Sequence, residues 1–487
     1  MSGTPTDAAG SRGAEHAAEL EQYTIEQIPL DQRHGRPRDL FTIWFTSNLM
    51  PLTVVTGALA TVAFGLPFIP AVIALVIGNL LGAVFMALHS AQGPKLGIPQ
   101  MIQSRAQYGV LGSILVVGIV VFMYVGFFAS NLILGGQSIN ALSSAVSVNW
   151  GIVICAVASL LIVVFGYDLI HYLNRWLAIA FSVVLIVATI LVIRALPAHF
   201  LSLGHFGWGA FISAVVVTGI LWQIAYAPYV SDYSRYMSPK EGVKPVFWYS
   251  YWGVVIGSTV PMIIGALVGL ASKNASQVAG LDKLSLGFGW VVMLVFGIGI
   301  INTNSLNAYG GVLCAITVGQ NFYEKWFPGA KARALFAAVF VGVCLYAALV
   351  YASSFLTSYV NFMLFLLYLL VPWTLINLID FYLVAHGDYD VPALFSKSGG
   401  IYGRFNWGTM AIYVLGFAVE IPFINTTFYE GPAAKALNGT DLSWLIAIIV
   451  VTPVYYIYAT RKRQAKLAKG ERVGARVAES APSETIA

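Results

Sequence analysis

The chain has 487 residues, 58% of them hydrophobic and only 10% charged, and its mean hydropathy is +0.79. Soluble domains carry roughly 25% charged residues, so this composition excludes a water-soluble core and points to an all-α membrane protein. The net charge of +5 implies no nucleic-acid partner, because the basic residues flank apolar stretches and form no base-reading motif.

Residues 1–38 are polar and lack the apolar stretch of a secretory signal, so they read as a cytoplasmic N-terminal tail. Residues 39–460 read as a transporter domain of twelve transmembrane helices, each about 17–25 apolar residues and long enough to cross the hydrocarbon. The stretches are about 40–65, 67–90, 109–139, 150–166, 176–196, 210–231, 246–271, 287–318, 334–352, 357–384, 408–425 and 442–460. The third is long enough to be tilted. Residues 461–487 form a basic tail, expected to be disordered and cytoplasmic. With both termini inside, only Arg194, Lys273, Lys283 and Lys435 of the 26 Lys and Arg fall on outside segments. That asymmetry is the positive-inside rule, and it places the chain as a multi-pass protein of the plasma (inner) membrane, with the lipid bilayer as its surroundings.

In chain order, the first span is interrupted by Ser47-Asn48-Leu49-Met50-Pro51. The third carries Phe127 and, one turn later, Asn131, followed by Gly135-Gly136-Gln137. The sixth is interrupted at Trp222-Gln223 with Pro228 following, and the eighth carries Asn302-Thr303-Asn304 and Asn307. A proline removes a helical hydrogen bond and clashes with the preceding turn, and exposed backbone in a bilayer must face protein or a polar cavity. Interrupted spans in matching positions of two halves point to a transporter's substrate site. Spans one to five (39–196) overlay six to ten (210–384). An odd number of spans per half makes the repeat inverted, and spans eleven and twelve (408–460) stand outside it.

Polar side chains in a bilayer face a cavity or another helix. Here they are amides beside the flat rings of Phe127 and Trp222, with charges nearly absent from the middle of spans one, three, six and eight. Rings stack and amides offer paired donors and acceptors, so the cargo they fit is a neutral, planar heterocycle. Each Asn has an even claim to be glue between helices. Asp232 and Arg235, at the inner end of span six, suit an ion pair or gate contact better than catalysis. His89 reads as structural. Asp380 and Glu420 can each carry a proton, although both sit near enough to the surface for solvation. Cys155, Cys314 and Cys344 fall inside spans without metal-ligand spacing, so neither a metal nor another bound cofactor is expected.

Four segments, "WFTSNLMPLTVVTGAL", "GPKLGIPQMIQSRAQYG", "SDYSRY" and "NTNSLNAYGG", resemble the nucleobase–cation symporter-1 family, the purine–cytosine permeases, over about residues 24 to 460. The resemblance implies a five-plus-five inverted repeat of the leucine-transporter type with two trailing helices. It implies substrate sandwiched between aromatics of spans three and six and held by amides. The matching positions are Ser47, Asn48, Phe127, Asn131, Gly219, Trp222, Gln223, Asn304 and Asn307, with Phe127 where the family usually has Trp. Sodium-using relatives ligate the ion with span-one carbonyls and span-eight hydroxyls. Val291 to Asn302 contains no hydroxyl, and the first are Thr303 and Ser305, which favours a co-transported proton over sodium.

The function expected is a secondary active importer of a nucleobase or related heterocycle, with cytosine or a purine ahead of allantoin, hydantoin or uracil. It would be proton-coupled, work by alternating access and act as a monomer. An amino-acid or other small-solute symporter of the same fold and an uncoupled facilitator are the rivals. No HExxH, GxSxG or comparable constellation supports an enzyme.

Overall fold

The structure is a computed structural model describing residues 26–165, 167–272, 277–322 and 330–475. The ends of the two expected tails, 1–25 and 476–487, lie outside the described residues. Apolar stretches close their backbone hydrogen bonds internally as helix, and each of the twelve stretches holds helix. Span one is two helices, α1 (Pro37–Ser47) and α2 (Pro51–Val62), bent by 65°. Pro51 is the first residue of α2, where its missing N–H costs nothing.

Then follow α3 (Phe68–Ser90), α4 (Gln100–Tyr108), α5 (Ile114–Leu142), α6 (Val148–Phe165) and α7 (Tyr167–Ala195). Span six is α8 (Trp208–Ala214), a π-helical turn over Val215–Ile220, and α9 (Leu221–Ile224). The chain then turns without helix over residues 225–229 before a short helix at Val230–Ser234. The break expected at Trp222-Gln223 therefore lies just after them. The ring of a proline collides with the carbonyl four residues earlier; for Pro228 that residue is Ile224, where α9 stops.

The second half continues with α10 (Val243–Ala271), α11 (Gly289–Phe322), α12 (Ala330–Tyr351) and α13 (Phe355–Leu378), and the chain ends with α14 (Trp407–Glu420) and α15 (Ser443–Ala468). Among the described residues six helical stretches are long and apolar enough to cross a bilayer, one of them holding both α12 and α13, and the bent α1–α2 pair is a seventh. Four more apolar helices are of 10–17 residues.

The helices pack as two groups. In one, α10 lies along α1, α2 and α3, and α3 lies along the π-helical turn. In the other, α5 packs on α11 and α6, with α12 against them. Small residues set the close approaches. A side chain at Gly265 would strike the Val54 carbonyl, and one at Gly78 would strike the Val215 carbonyl.

Two expected tails are partly built into the fold. Residues 26–36 dock on the loop before α4: the Ile28 amide donates to the Gly97 carbonyl at 2.9 Å, and the Arg33 guanidinium to Ile28 and Pro94 carbonyls at 2.9 and 2.7 Å. The C-terminal helix runs on to Ala468, and residues to 475 fold back on the 385–406 linker through Arg463–Asp388 and Arg472–Asp390. Hydropathy misses both, because backbone carbonyls and a few charges hold these segments. Both ends and the loop before α4 lie together on one side, the terminal face.

Candidate functional site

Asn48 closes α1 and is fully buried. Its Oδ1 accepts from the Trp222 indole N–H at 2.8 Å and the Tyr226 hydroxyl at 2.9 Å, and its Nδ2 donates to the Trp44 carbonyl at 2.8 Å. The span-one break is thereby tied to span six.

The other helix group faces this corner with Phe127, half-buried on α5, whose ring meets Trp222 edge-on at 6.1 Å between centroids and 83°. The parallel slot that a sandwiched heterocycle needs is thus not formed in this structure: the rings touch each other. Asn131 follows one turn along α5, buried, and its Nδ2 has no partner. Asn304 on α11 donates through Nδ2 to the Phe128 carbonyl at 3.2 Å, while its Oδ1 has none. Buried amide atoms left unpaired cost about 1–3 kcal/mol each. One donor is therefore unpaired a turn along α5 from Phe127, and one acceptor is unpaired on α11 where that helix meets α5 at Phe128, with Asn307 half-buried a turn further along α11.

Three expected site residues serve elsewhere. Gln223 donates to Asn79 on α3 at 2.5 Å and to Ser258 on α10 at 2.8 Å, so it clamps three helices together. Ser47 is exposed and returns its hydroxyl to the Ile43 carbonyl at 2.7 Å, because one residue's rotation carries it off the face that Asn48 uses. Ser305 donates to the Ile301 carbonyl at 2.8 Å and the Ser159 carbonyl at 3.4 Å, so its hydroxyl serves the packing of α11 on α6. Thr303 is half-buried.

Sequence reasoning missed an aromatic column. Trp222, Tyr226 and Tyr229 follow one another at 6.2 and 5.8 Å, with Trp44 5.6 Å from Tyr226 and Tyr124 5.9 Å from Tyr229. The four- and three-residue spacing of Trp222, Tyr226 and Tyr229 in the sequence was the available signal, although the chain carries it through a turn rather than a helix. The column fills the terminal-face side of the corner. On the opposite side α13 lies over it: Phe362 meets Phe127 at 5.2 Å and 90°, and the Tyr359 hydroxyl bonds Thr56 at 2.8 Å.

On the terminal face, Asp232 accepts from the Gln100 amide at 2.8 Å, and Arg235 donates to the Asp232 and Glu26 carbonyls, both at 3.3 Å. Arg105 on α4 donates to the Leu394 carbonyl at 3.0 Å, and burial lowers its pKa to about 10. His89 packs on Trp373 with centroids 5.1 Å apart. Asp380 takes hydrogen bonds from Gln107, Tyr389 and Tyr455 beside a cavity of about 90 Å³. Glu420, expected near solvent, is fully buried, because the linker to α15 covers it.

A helix broken at Asn48–Met50, a second broken after Ile224, and buried amides and rings between two helix groups define a multi-pass membrane transporter. The chain belongs to the family of permeases for cytosine/purines, uracil, thiamine and allantoin, whose model matches residues 27–447. It is 41% identical over 444 residues to a putative purine-cytosine permease of Bacillus subtilis (strain 168), covering 90% of this chain and 95% of that one. It is 25% identical over 465 residues to a purine-cytosine permease of Emericella nidulans, covering 88% and 86%. In fold it is similar to Mhp1, a nucleobase-cation-symport-1 family transporter solved in a closed conformation with bromovinylhydantoin bound. There the TM-score is 0.73 at 15% identity, over 94% of this chain and 98% of that chain.

Proposed function

We propose that the protein is a secondary active importer of a nucleobase or closely related neutral heterocycle, working by alternating access across twelve spans with both termini cytoplasmic. The observation that carries this reading is the unpaired Asn131 donor and Asn304 acceptor beside Phe127 and Trp222. A heterocycle edge with adjacent acceptor and donor pairs both amides at once, and its ring replaces the contact between Phe127 and Trp222. An amino-acid zwitterion calls instead for a helix terminus with a charge partner. The relatives, named as purine-cytosine permeases, support the same class.

The coupling ion in this proposal is a proton. Hard cations need several oxygen ligands, and residues 291–302 of α11 offer no hydroxyl, while Ser305 is engaged with α6. Uptake of labelled cytosine, adenine, uracil, allantoin and hydantoin into sodium-free proteoliposomes under an imposed pH gradient is the test. Accumulation of at least one is expected. Failure of the whole panel under both pH and sodium gradients overturns the substrate class, and accumulation only with sodium overturns the proton.

A further inference from the structure

Glu420 ends α14 on the face opposite the termini. Its side chain is fully buried, and neither carboxyl oxygen has a hydrogen-bond partner. An ionised carboxylate buried without donor or counter-charge costs several kcal/mol, so the stable form is the neutral acid. The titratable groups that face it are Asp441 from the linker, Tyr368 from α13 and Tyr413 from its own helix. The adjoining end of α15 presents Ser443 and Trp444, which do not titrate. No basic side chain bonds either carboxyl among the described residues.

Asp441 is in the opposite condition. Its Oδ1 accepts from the Ser443 amide and hydroxyl at 3.0 and 2.6 Å, and its Oδ2 from the Asn425 amide at 3.0 Å and the Tyr368 hydroxyl at 2.5 Å. Four donors are the complement an ionised carboxylate accepts. Asp441 also lines a cavity of about 450 Å³ with Asn361 and Ser213, bordered by exposed Thr427 and Asn438. Water therefore reaches Asp441 from that face, with Glu420 buried behind it. The Tyr368 bond ties the pair to α13, the helix that covers the Phe127–Trp222 corner.

We propose that Glu420 and Asp441 form a proton-binding carboxyl pair, loaded through this cavity, whose single proton latches α13 closed. The proton passes from water to a Glu420 oxygen, forming its O–H bond and cancelling one of two negative charges. When it returns to water, two carboxylates face each other in a low-dielectric pocket, and their repulsion is relieved when α13 moves off and lets water solvate both, in place of the Tyr368 bond. The site is independent of which solute is carried, and its test needs no substrate.

Val360 borders the same cavity. In a C155S/C314S/C344S background, a V360C thiol is labelled from that face across a pH series, with rates corrected for thiolate fraction. The corrected rate is expected to rise with pH by up to roughly tenfold per unit. E420Q and Glu420→Met, which hold no titrating proton, should both give a flat profile. Glu420→Met removes a buried unpartnered carboxyl and is expected to fold at least as well as the parent. The infrared spectrum supplies a readout without labelling. The parent should show the high-frequency carbonyl band of a carboxylic acid free of hydrogen bonds, absent from both variants. A parent without that band, or a variant that keeps the parent's pH profile, overturns the proposal.

Discussion

Asn48 spends both ends of its amide within the protein, whereas Asn131 and Asn304 each hold one atom back. That difference separates glue from ligand contact and yields opposed predictions. Asn131→Leu removes an unpaired buried donor, so the melting temperature in detergent should hold or rise while substrate affinity falls about 5–150-fold, the cost of about 1–3 kcal/mol. Gln223→Leu removes the two hydrogen bonds that tie span six to Asn79 and Ser258, so its melting temperature should drop. Competition binding and thermal unfolding on the same preparations check both, and a destabilised Asn131→Leu would reassign that residue to packing. Trp222→Phe keeps a ring but loses one bond to Asn48, worth about 1 kcal/mol; labelled-substrate titration should show about fivefold weaker binding. The sequence identified the residue types, because amides and rings at mid-span are rare. It could not sort Asn131 from Gln223, since a partner such as Ser258, 35 positions away, leaves no local mark.

At the scale of elements, the proline breaks were legible because Pro51 and Pro228 act on their own helices. The loop before α4 shows what was half legible. Its Gly and Pro spacing was conspicuous, but its role as the anchor of residues 26–36 was not, since that segment is polar and carries no periodic pattern. Gly97 has φ +69°, and a Cβ there would strike the Arg33 guanidinium. Gly97→Ala therefore suffers both left-handed strain and a collision, together about 1–3 kcal/mol, and should lower the melting temperature. Arg33→Ala removes the colliding group along with its own carbonyl bonds. The double variant should consequently be less destabilised than the sum of the singles. Additive losses in a thermal-shift cycle would show that the two residues do not meet.

Across the whole molecule, hydropathy and charge reveal the helical stretches because both are local properties of the chain. Which helices pack together is set by contacts between distant segments, and it becomes visible only once α1, α2, α3 and α10 are seen to pack apart from α5, α6, α11 and α12. The proposed substrate corner lies between these groups, covered on the terminal face by the aromatic column and on the other by α13. The two covers differ in kind. The column is a run of large rings held by contact over a wide area, whereas the part of α13 that covers the corner meets it through Phe362 on Phe127 and the Tyr359–Thr56 hydrogen bond, beyond which Tyr368 holds the helix to Asp441. The cheaper one to release is α13. Tyr359→Phe keeps the ring but removes that bond, worth about 1 kcal/mol, which shifts a closed–open equilibrium about fivefold toward open. Because Val360 borders the cavity beside it, labelling of a V360C thiol should accelerate by that factor in Tyr359→Phe at fixed pH. Saturating substrate should slow it again, since bound solute restores the cover. An unchanged rate would mean that the Tyr359–Thr56 bond does not hold the helix shut, and truncation of Phe362 or loss of the Tyr368–Asp441 bond would then be the change that opens it.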